Sequence, residues 1–579
     1  MGTRHLVALA LLGIATASFA AGKDDVKARL QSPALQGLYA RTYKSLLDRT
    51  EASGYMQESM TGAYAGMFPR TVGGLVSLYL ETGEYAKSEA LTSYVLRAMQ
   101  ANKMERVPHV IGAPYKGREP LPGPGSVVQA GHPIALYRVD QPARFGGAQE
   151  FIAPAEAIRA IELWLTGDRC KGTLTLDIAP TLDAPAIAEA KVDAASLSGG
   201  WTRFAFAPPL RLPAGKQYVM RLHHEGTGTP AWWGVDLAPE ALRKQFGEGH
   251  GRDAQIQPGW MLTQKHVTAY ALDTGRLQHS ERETIPLYAA EDQIDGQAHV
   301  IMSWARLALR RGPTPFETRT YTDVAKLMDR TSDWPYLTPY YPNSPLFTVA
   351  TGLVRNVCFE HSRDGRFWDT FDILTQSFVC AALTDMTRVA ESRHDAVRAA
   401  RWRNRLNALQ AAIRARMTRE LDGQTVYLEM RLPDGGGGVP FGGLGWVNLA
   451  PVAAQWEGVD RDILASTVAA YRKRALFTAG GLTAIATDWW PDRPLDKTVI
   501  GKGVGWEMVY SLDHGEWDRI CQWLDFVAAV NTQPIYMESC GLGADGKWYV
   551  GDPGNGEQCS WWCWGMARVR KAVGLTPAP

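Results

Sequence analysis

Between about residues 25 and 105, apolar positions recur at close to a 3.6-residue spacing. The stretch FPRTVGGLVSLYLETGEYAKSEALTSYVLRAMQ, residues 68–100, has the spacing of helices that each bury one face. Its ETGEY segment breaks the pattern with a glycine between charges, which predicts a helix–helix turn. From about 120 to 275 the period changes. GGWTRFAFAPPLRLPAGKQYVMRLHHEG and PAWWGVD are short β-branched and aromatic runs divided by Gly, Pro and Asp, which predicts a β-sandwich. GAPYKGREPLPGPGS reads as the linker into it. From about 280 the helical spacing returns, as in DGQAHVIMSWARLALRRG and FDILTQSFVCAALTDMTRVAES. One helical hairpin before the strands and several after them predict a β domain inserted into a toroid of helical hairpins. The expected organisation is a leader at 1–21, a first helical part at 22–115, the inserted sandwich at 116–278 and the remaining helices at 279–579.

The leader reading rests on Arg4 and His5 ahead of an apolar stretch from Leu6 to Ile14, with Ser18 and Ala20 at cleavage-site positions. This is the pattern of a secretory signal peptide removed after Ala20 or Ala21, so the chain is expected to be exported, periplasmic or extracellular. The stretch is too short to span a bilayer, and no second long apolar run follows.

Composition narrows the partners. The 579 residues are 45% hydrophobic and 21% charged with a formal net charge of +1, which gives no long-range attraction to nucleic acid or anionic lipid. Neither is expected as a partner. Of the 20 tryptophans, 11 follow residue 440, the mark of either a ligand cleft or an unusually aromatic core. Among the seven cysteines, Cys559 and Cys563 share a helix face but lack a second pair of ligands nearby, and read as core thiols. No metal or cofactor is predicted.

Two glutamates draw the chemistry. In GDPGNGEQCSWWCWGMARVR, residues 551–570, Glu557 stands between a glycine-rich turn and a helix start crowded with tryptophan. Glycines permit close backbone approach, flat aromatic surface suits a sugar ring, and inward-pointing amides of 554–556 would stabilise a carboxylate. The plain alternative is a first-turn acid favoured by the helix dipole. In RNVCFEHSRDGRFWDTFDILTQSFVCAAL, residues 355–383, Glu360 precedes a polar turn and the pair Phe367-Trp368. Its plain alternative is a surface-loop glutamate.

Four stretches, in order, resemble the family 15 glycoside hydrolases, the glucoamylases and their relatives, within the wider six-hairpin glycosidase clan. GMFPRTVGGLVSLYLETGEY resembles the family's aromatic–x–Arg–Asp segment through Pro69 and Arg70. DQIDGQAHVIMSWARLAL resembles its Gln-x-Asp-x-x-Gly helix start through Gln293, Asp295 and Gly296. CFEHSRDGRFWDTFDILTQSFVCAAL resembles the segment carrying the general acid, and GEQCSWWCWGMARVRKA the Glu-Gln segment carrying the general base. The resemblance implies an (α/α)6 barrel and a glycoside hydrolase with Glu360 as acid and Glu557 as base, inverting and exo-acting on an oligo- or polysaccharide. The chain departs from the family in reading Arg70-Thr71 where the family has Arg-Asp, and His361 where it has a second Glu.

Further candidates surround these two. Arg70 is read as holding sugar hydroxyls or a uronate carboxylate, or as an ordinary ion pair. Trp334 and Tyr336, Trp446, and Trp489 with Trp490 lie in Gly/Pro-punctuated loops and read either as cleft walls or as packing under loops. Trp368, Gln558 and Trp561 flank the two glutamates as candidate sugar contacts. Asp369 and Asp372 compete with Glu360 for the acid role, and Asp369 equally suits a helix cap. Glu507 is either a rival carboxylate or a ligand for a sugar hydroxyl. In the sandwich, Trp201, Trp232 and Trp233 are available as stacking platforms, or the sandwich is a structural cap. Two other function classes stay open: a helical-toroid polysaccharide lyase using His109, His299, His361 or His514, and a non-catalytic glycan-binding protein.

Overall fold

The computed structural model describes residues 21–59, 66–121, 135–137, 144–166, 170–197, 200–228, 230–236, 261–262, 266–268, 270–289, 294–333, 352–356, 371–431, 438–439, 445–486, 498–551 and 554–579. The helices among them are α1 (Lys23–Leu30), α2 (Pro33–Arg49), α3 (Pro69–Thr82), α4 (Tyr85–Ala101), α5 (Ile294–Arg311), α6 (Pro315–Asp333), α7 (Ile373–Ser392), α8 (Ala396–Arg416), α9 (Ala450–Ala453), α10 (Arg461–Ala475), α11 (Gly501–Asp513), α12 (Trp517–Val530) and α13 (Gly556–Ala572). Local chemistry sets several boundaries. Ser32 accepts the Leu35 amide ahead of Pro33, and Gly83 ends α3 in the left-handed conformation at φ 86°.

Among the described residues, α3, α5, α7, α9, α11 and α13 pack each against the next, and α13 closes the ring on α3. The 3₁₀ turn Gly445–Leu449 extends α9 at its start. Helices α2, α4, α6, α8, α10 and α12 form the outer layer, so the fold is an (α/α)6 toroid of hairpins. The two layers bury differently. Ile294 to Ala305 of α5 and Gly556 to Ala567 of α13 are buried on every face. The outer α8 buries only Ala399, Trp402, Leu409 and Ile413, a single stripe. Where α11 crosses α13, glycine is required by contact. A Cβ on Gly505 would sit 2.4 Å from the Trp561 carbonyl oxygen, and one on Gly565 2.7 Å from that of Gly505. No helix among the described residues is long and apolar enough to cross a membrane.

The strands between Val110 and Ala289 stand between α4 and α5 in the chain. The insertion therefore lies between two hairpins, after the outer helix α4 and before the inner helix α5. An eight-stranded sheet holds Ile158–Thr166 between Gly200–Leu210 and Tyr270–Asp273. A five-stranded sheet holds Lys171–Ala179 between Gln217–Thr227 and Ala188–Asp193. Ile161, Leu163 and Leu165 of one sheet share a core with Leu174, Leu176 and Ile178 of the other, as a sandwich requires. Trp232 lies inside that core at 1% exposure, which removes it as a stacking platform, because its ring is consumed by packing. Trp201 is half-buried, edge-on to Trp164, and the Trp233 side chain lies outside the described residues.

Two contacts tie the sandwich to the ring where it matters. Met67 and Ile111 exchange backbone hydrogen bonds of 2.7 and 2.9 Å, and Asn102 of the turn after α4 donates to the Ile285 carbonyl at 2.7 Å. The first fixes the segment that leads into α3, and with it Arg70.

Candidate active site

The inner helices deliver their second residues to one end of the ring. Arg70 is second in α3, Asp295 in α5, Lys502 in α11 and Glu557 in α13. Trp446 is second in the 3₁₀ turn, and Asp372 caps α7. Helix starts carry unpaired N–H groups and the positive end of the dipole, so a ring of them is a natural seat for carboxylates.

Lys502 Nζ donates to Glu557 Oε1 at 2.9 Å and lies 4.0 Å over the Trp446 ring centroid. Arg70 Nε stands 3.6 Å from Glu557 Oε1 and 3.5 Å from Asp295 Oδ2. One guanidinium thus sits between two carboxylates, which can be no farther apart than those two distances laid end to end. Glu557 is 9% exposed and Asp295 fully buried. Asn356 donates to Asp295 Oδ1 at 3.0 Å and accepts the Ile294 amide at 3.2 Å. Gln558 accepts the Lys502 amide at 2.6 Å, joining the starts of α11 and α13.

Asp372 is buried with both carboxylate oxygens occupied, one by the Thr375 amide at 2.6 Å and one by the Thr375 hydroxyl at 2.9 Å. Burial lifts its carboxyl to about 7, and the neighbouring Asp295 adds to the rise. It is a helix cap enclosed by the protein. Beneath the carboxylates, His299 packs 3.7 Å from Phe378 and 6.0 Å from Trp561, and Trp446 and Trp561 each meet Trp506 edge-on at 5.4 Å. Burial, reinforced by Arg70 and Lys502, holds the His299 imidazole well below its usual range, so it is neutral. At 1% exposure, it is placed as floor and not as the accessible base a lyase needs.

Of the residues singled out in the sequence, Glu557, Arg70 and Gln558 meet here, and Trp446 and Trp561 form the floor. At or below 1% exposure, Trp446 takes the packing alternative and not the cleft wall, and Trp561 is corrected as a sugar contact because its ring is consumed by packing. Glu507 is also corrected. It faces the outer layer, where Arg472 donates to it at 2.7 Å, Trp523 at 2.8 Å and Ser511 at 3.1 Å, so both its oxygens are taken by the protein. The amides of Gly554 and Gly556 do not serve Glu557; they donate to the carbonyls of Tyr536 and Glu58. Glu360, Trp334, Tyr336, Trp368, Asp369, Trp489 and Trp490 lie outside the described residues. Cys559 and Cys563 are buried free thiols.

Three participants escaped the sequence reading. Lys502 sits in VIGKGVGWE, and a lysine at the start of a glycine-rich apolar helix was a usable signal. Asn356 precedes the acid segment by a few residues. Glu58 offered no local signal, because its partner is 499 positions away.

No family model matches this chain, and no curated protein matches it. Solved structures similar to it include a metal-independent α-mannosidase from Streptococcus pneumoniae in complex with α-1,6-mannobiose, at 11% identity and TM-score 0.38, covering 50% of this chain and 70% of that one. A bacterial glucoamylase complexed with acarbose matches at 12% identity and TM-score 0.35, covering 51% of this chain and 43% of that one. A cellobiose 2-epimerase from Bacillus thermoamylovorans matches at 11% identity and TM-score 0.35, over 50% of this chain and 75% of that one.

Proposed function

We propose that this chain is an exported glycoside hydrolase acting on an oligo- or polysaccharide, with Glu557 as general base and Glu360 as general acid. The observation that carries the reading is the arrangement of Glu557 at the convergence of the inner-helix starts, with Lys502 and Arg70 against it. Hydrolysis needs one carboxylate that stays charged to activate water and one carboxyl that keeps its proton for the leaving oxygen. Lys502 and Arg70 give Glu557 two cationic partners, at 2.9 and 3.6 Å. The aromatic floor below is apolar, which strengthens every electrostatic contact above it.

The acid assignment rests on the resemblance and on connectivity. Asn356, four positions before Glu360 in the chain, bonds to Asp295, and Asp372, twelve positions after it, caps α7. Inversion and exo action belong to the same proposal. Inverting pairs stand about 6.5–9.5 Å apart, wide enough for the attacking water. Export follows from the leader pattern ahead of Lys23.

The test is sugar release from a panel of oligosaccharides and plant or microbial glycans by the wild type, Glu557→Gln and Glu360→Gln, each checked for folding by thermal melting. The expected result is release by the wild type and a loss of at least about 100-fold in kcat in both variants. NMR of the first anomer released tests inversion. Full activity in folded Glu557→Gln would end the base assignment, and glycan retention with no release would move the reading to a binding protein.

A further inference from the structure

The most unusual bonds at this end of the ring belong to a residue outside it. Glu58 lies in the segment between α2 and α3 and is 3% exposed. Its backbone carbonyl accepts the Gly556 amide at 2.8 Å, and its Oε1 accepts the Glu557 amide at 2.8 Å. Thr71, third in α3, donates its hydroxyl to Oε2 at 2.6 Å. Arg49, at the end of α2, donates to the Glu58 carbonyl at 3.0 Å.

The opening amides of a helix have no partner within it, and a nearby side chain usually satisfies one. Asn555 does so for α13, accepting the Gln558 amide at 2.9 Å. The two amides before that are both taken by Glu58, from the opposite terminus of the chain. The α3–α13 seam is where the ring closes, and it is tightly filled. A Cβ on Gly556 would meet the Met56 Cε at 2.5 Å and the Thr71 Cγ2 at 3.0 Å. A helix start gripped at its first two amides has little freedom to shift or rotate, and the second residue of this helix is Glu557.

We propose that Glu58 is the positioning residue for Glu557: it fixes the start of α13 so that the carboxylate stands against Lys502 and Arg70. The inference rests on the reading of Glu557 as the base. Glu58 is too enclosed to touch substrate and acts through the helix. It also accounts for Thr71. A carboxylate at position 71, as the Arg-Asp pattern would have, would face the Glu58 carboxylate at hydrogen-bond range, like charge against like. The hydroxyl donor and Glu58 form a matched set. Burial raises the Glu58 carboxyl to about 7, with the Thr71 bond opposing and the Glu557 charge adding to the rise. Thr71, Glu557 and Arg49 are the polar and charged groups that face it. The grip does not depend on that proton, because Oε1 accepts the amide in either state.

The experiment uses the full chain and two readouts, one independent of turnover. Hydrogen exchange at the Gly556 and Glu557 amides is measured in the wild type, Glu58→Gln and Glu58→Ala, together with kcat and KM on a glycoside the wild type cleaves. Glutamine keeps an oxygen for the amide and a donor for Thr71, so exchange and kcat should stay within about threefold of wild type. Alanine should speed exchange at Glu557 at least about tenfold and lower kcat about 10- to 100-fold with KM little changed, the signature of a misplaced group. Thr71→Val, which removes one of Glu58's donors, should move both readouts the same way by less, and serves if Glu58→Ala does not fold. Unchanged exchange in folded Glu58→Ala, or in Thr71→Val where Glu58→Ala does not fold, overturns the proposal, and so does unchanged kcat in the same variant. A wild type that cleaves nothing, with exchange responding as expected, overturns the hydrolase reading and leaves the grip standing.

Discussion

Lys502 and Glu557 form an ion pair of 2.9 Å in which the ammonium is 2% exposed and also caps the face of Trp446. The two residues begin adjacent inner helices, and Gln558 locks those starts together through the Lys502 amide. Taking two charges out of water costs several kcal/mol, so such a pair persists where geometry compensates or function requires it.

Replacing Lys502 with methionine keeps the volume and removes the charge. Arg70, at 3.6 Å, remains beside Glu557. The expected outcome is a kcat at least about tenfold lower with KM little changed, since the carboxylate loses the donor that holds it at 2.9 Å. An unchanged kcat in the folded variant would rule out a role for Lys502 in holding Glu557.

Glu58 and Asp372 predict how stability depends on pH. Their carboxyls are raised to about 7 in the folded chain, from 4.5 and 3.8, mainly by burial. Between those ordinary values and about 7, the folded state keeps protons that the unfolded state has released. The contribution of these two groups is thus full below their ordinary values, falls as pH rises towards 7 and is level above, by on the order of 3 kcal/mol for each. Urea unfolding at pH 5, 6 and 7 should show a steeper fall for wild type than for a Glu58→Gln/Asp372→Asn double variant. Parallel curves would contradict the assignment.

The Gly505 crossing predicts a cost of crowding. A methyl group there meets backbone, the Trp561 carbonyl at 2.4 Å, and backbone cannot swing aside. Gly505→Ala should destabilise the fold by about 1–3 kcal/mol in spite of alanine's better helix propensity, read from denaturant midpoints. A stabilised variant would mean that the two helices part easily.

Arg472 separates structure from catalysis. It ties Glu507 to Glu516 and Ser511 between the layers, with bonds of 2.7 to 3.0 Å. Burial raises the Glu507 carboxyl, and Arg472 is the main influence holding it down. Arg472→Met should cost about 3–5 kcal/mol by stranding Glu507, while kcat of the folded variant stays close to wild type. A selective loss of kcat would return Glu507 to the site.

The sequence by itself determined the classes of element and their order. Spacing near 3.6 residues, then short β runs, then helices again is written locally, since each amphipathic or alternating stretch needs only its own residues to declare which face it buries. It also singled out Glu557 as a candidate, because a glycine turn, a carboxylate and an aromatic helix start are neighbours in the chain. Tertiary structure alone decided what surrounds that carboxylate. Lys502, Arg70 and Glu58 reach it from 55, 487 and 499 positions away, and only closure of the ring brings the starts of α3, α11 and α13 and the Glu58 segment together. The same closure chose packing over cleft wall for Trp446 and withdrew Trp561 and Glu507 from sugar contact. An aromatic or acidic residue has the same local pattern whether it lines a cleft or fills the space between helices, and burial by distant elements makes the difference.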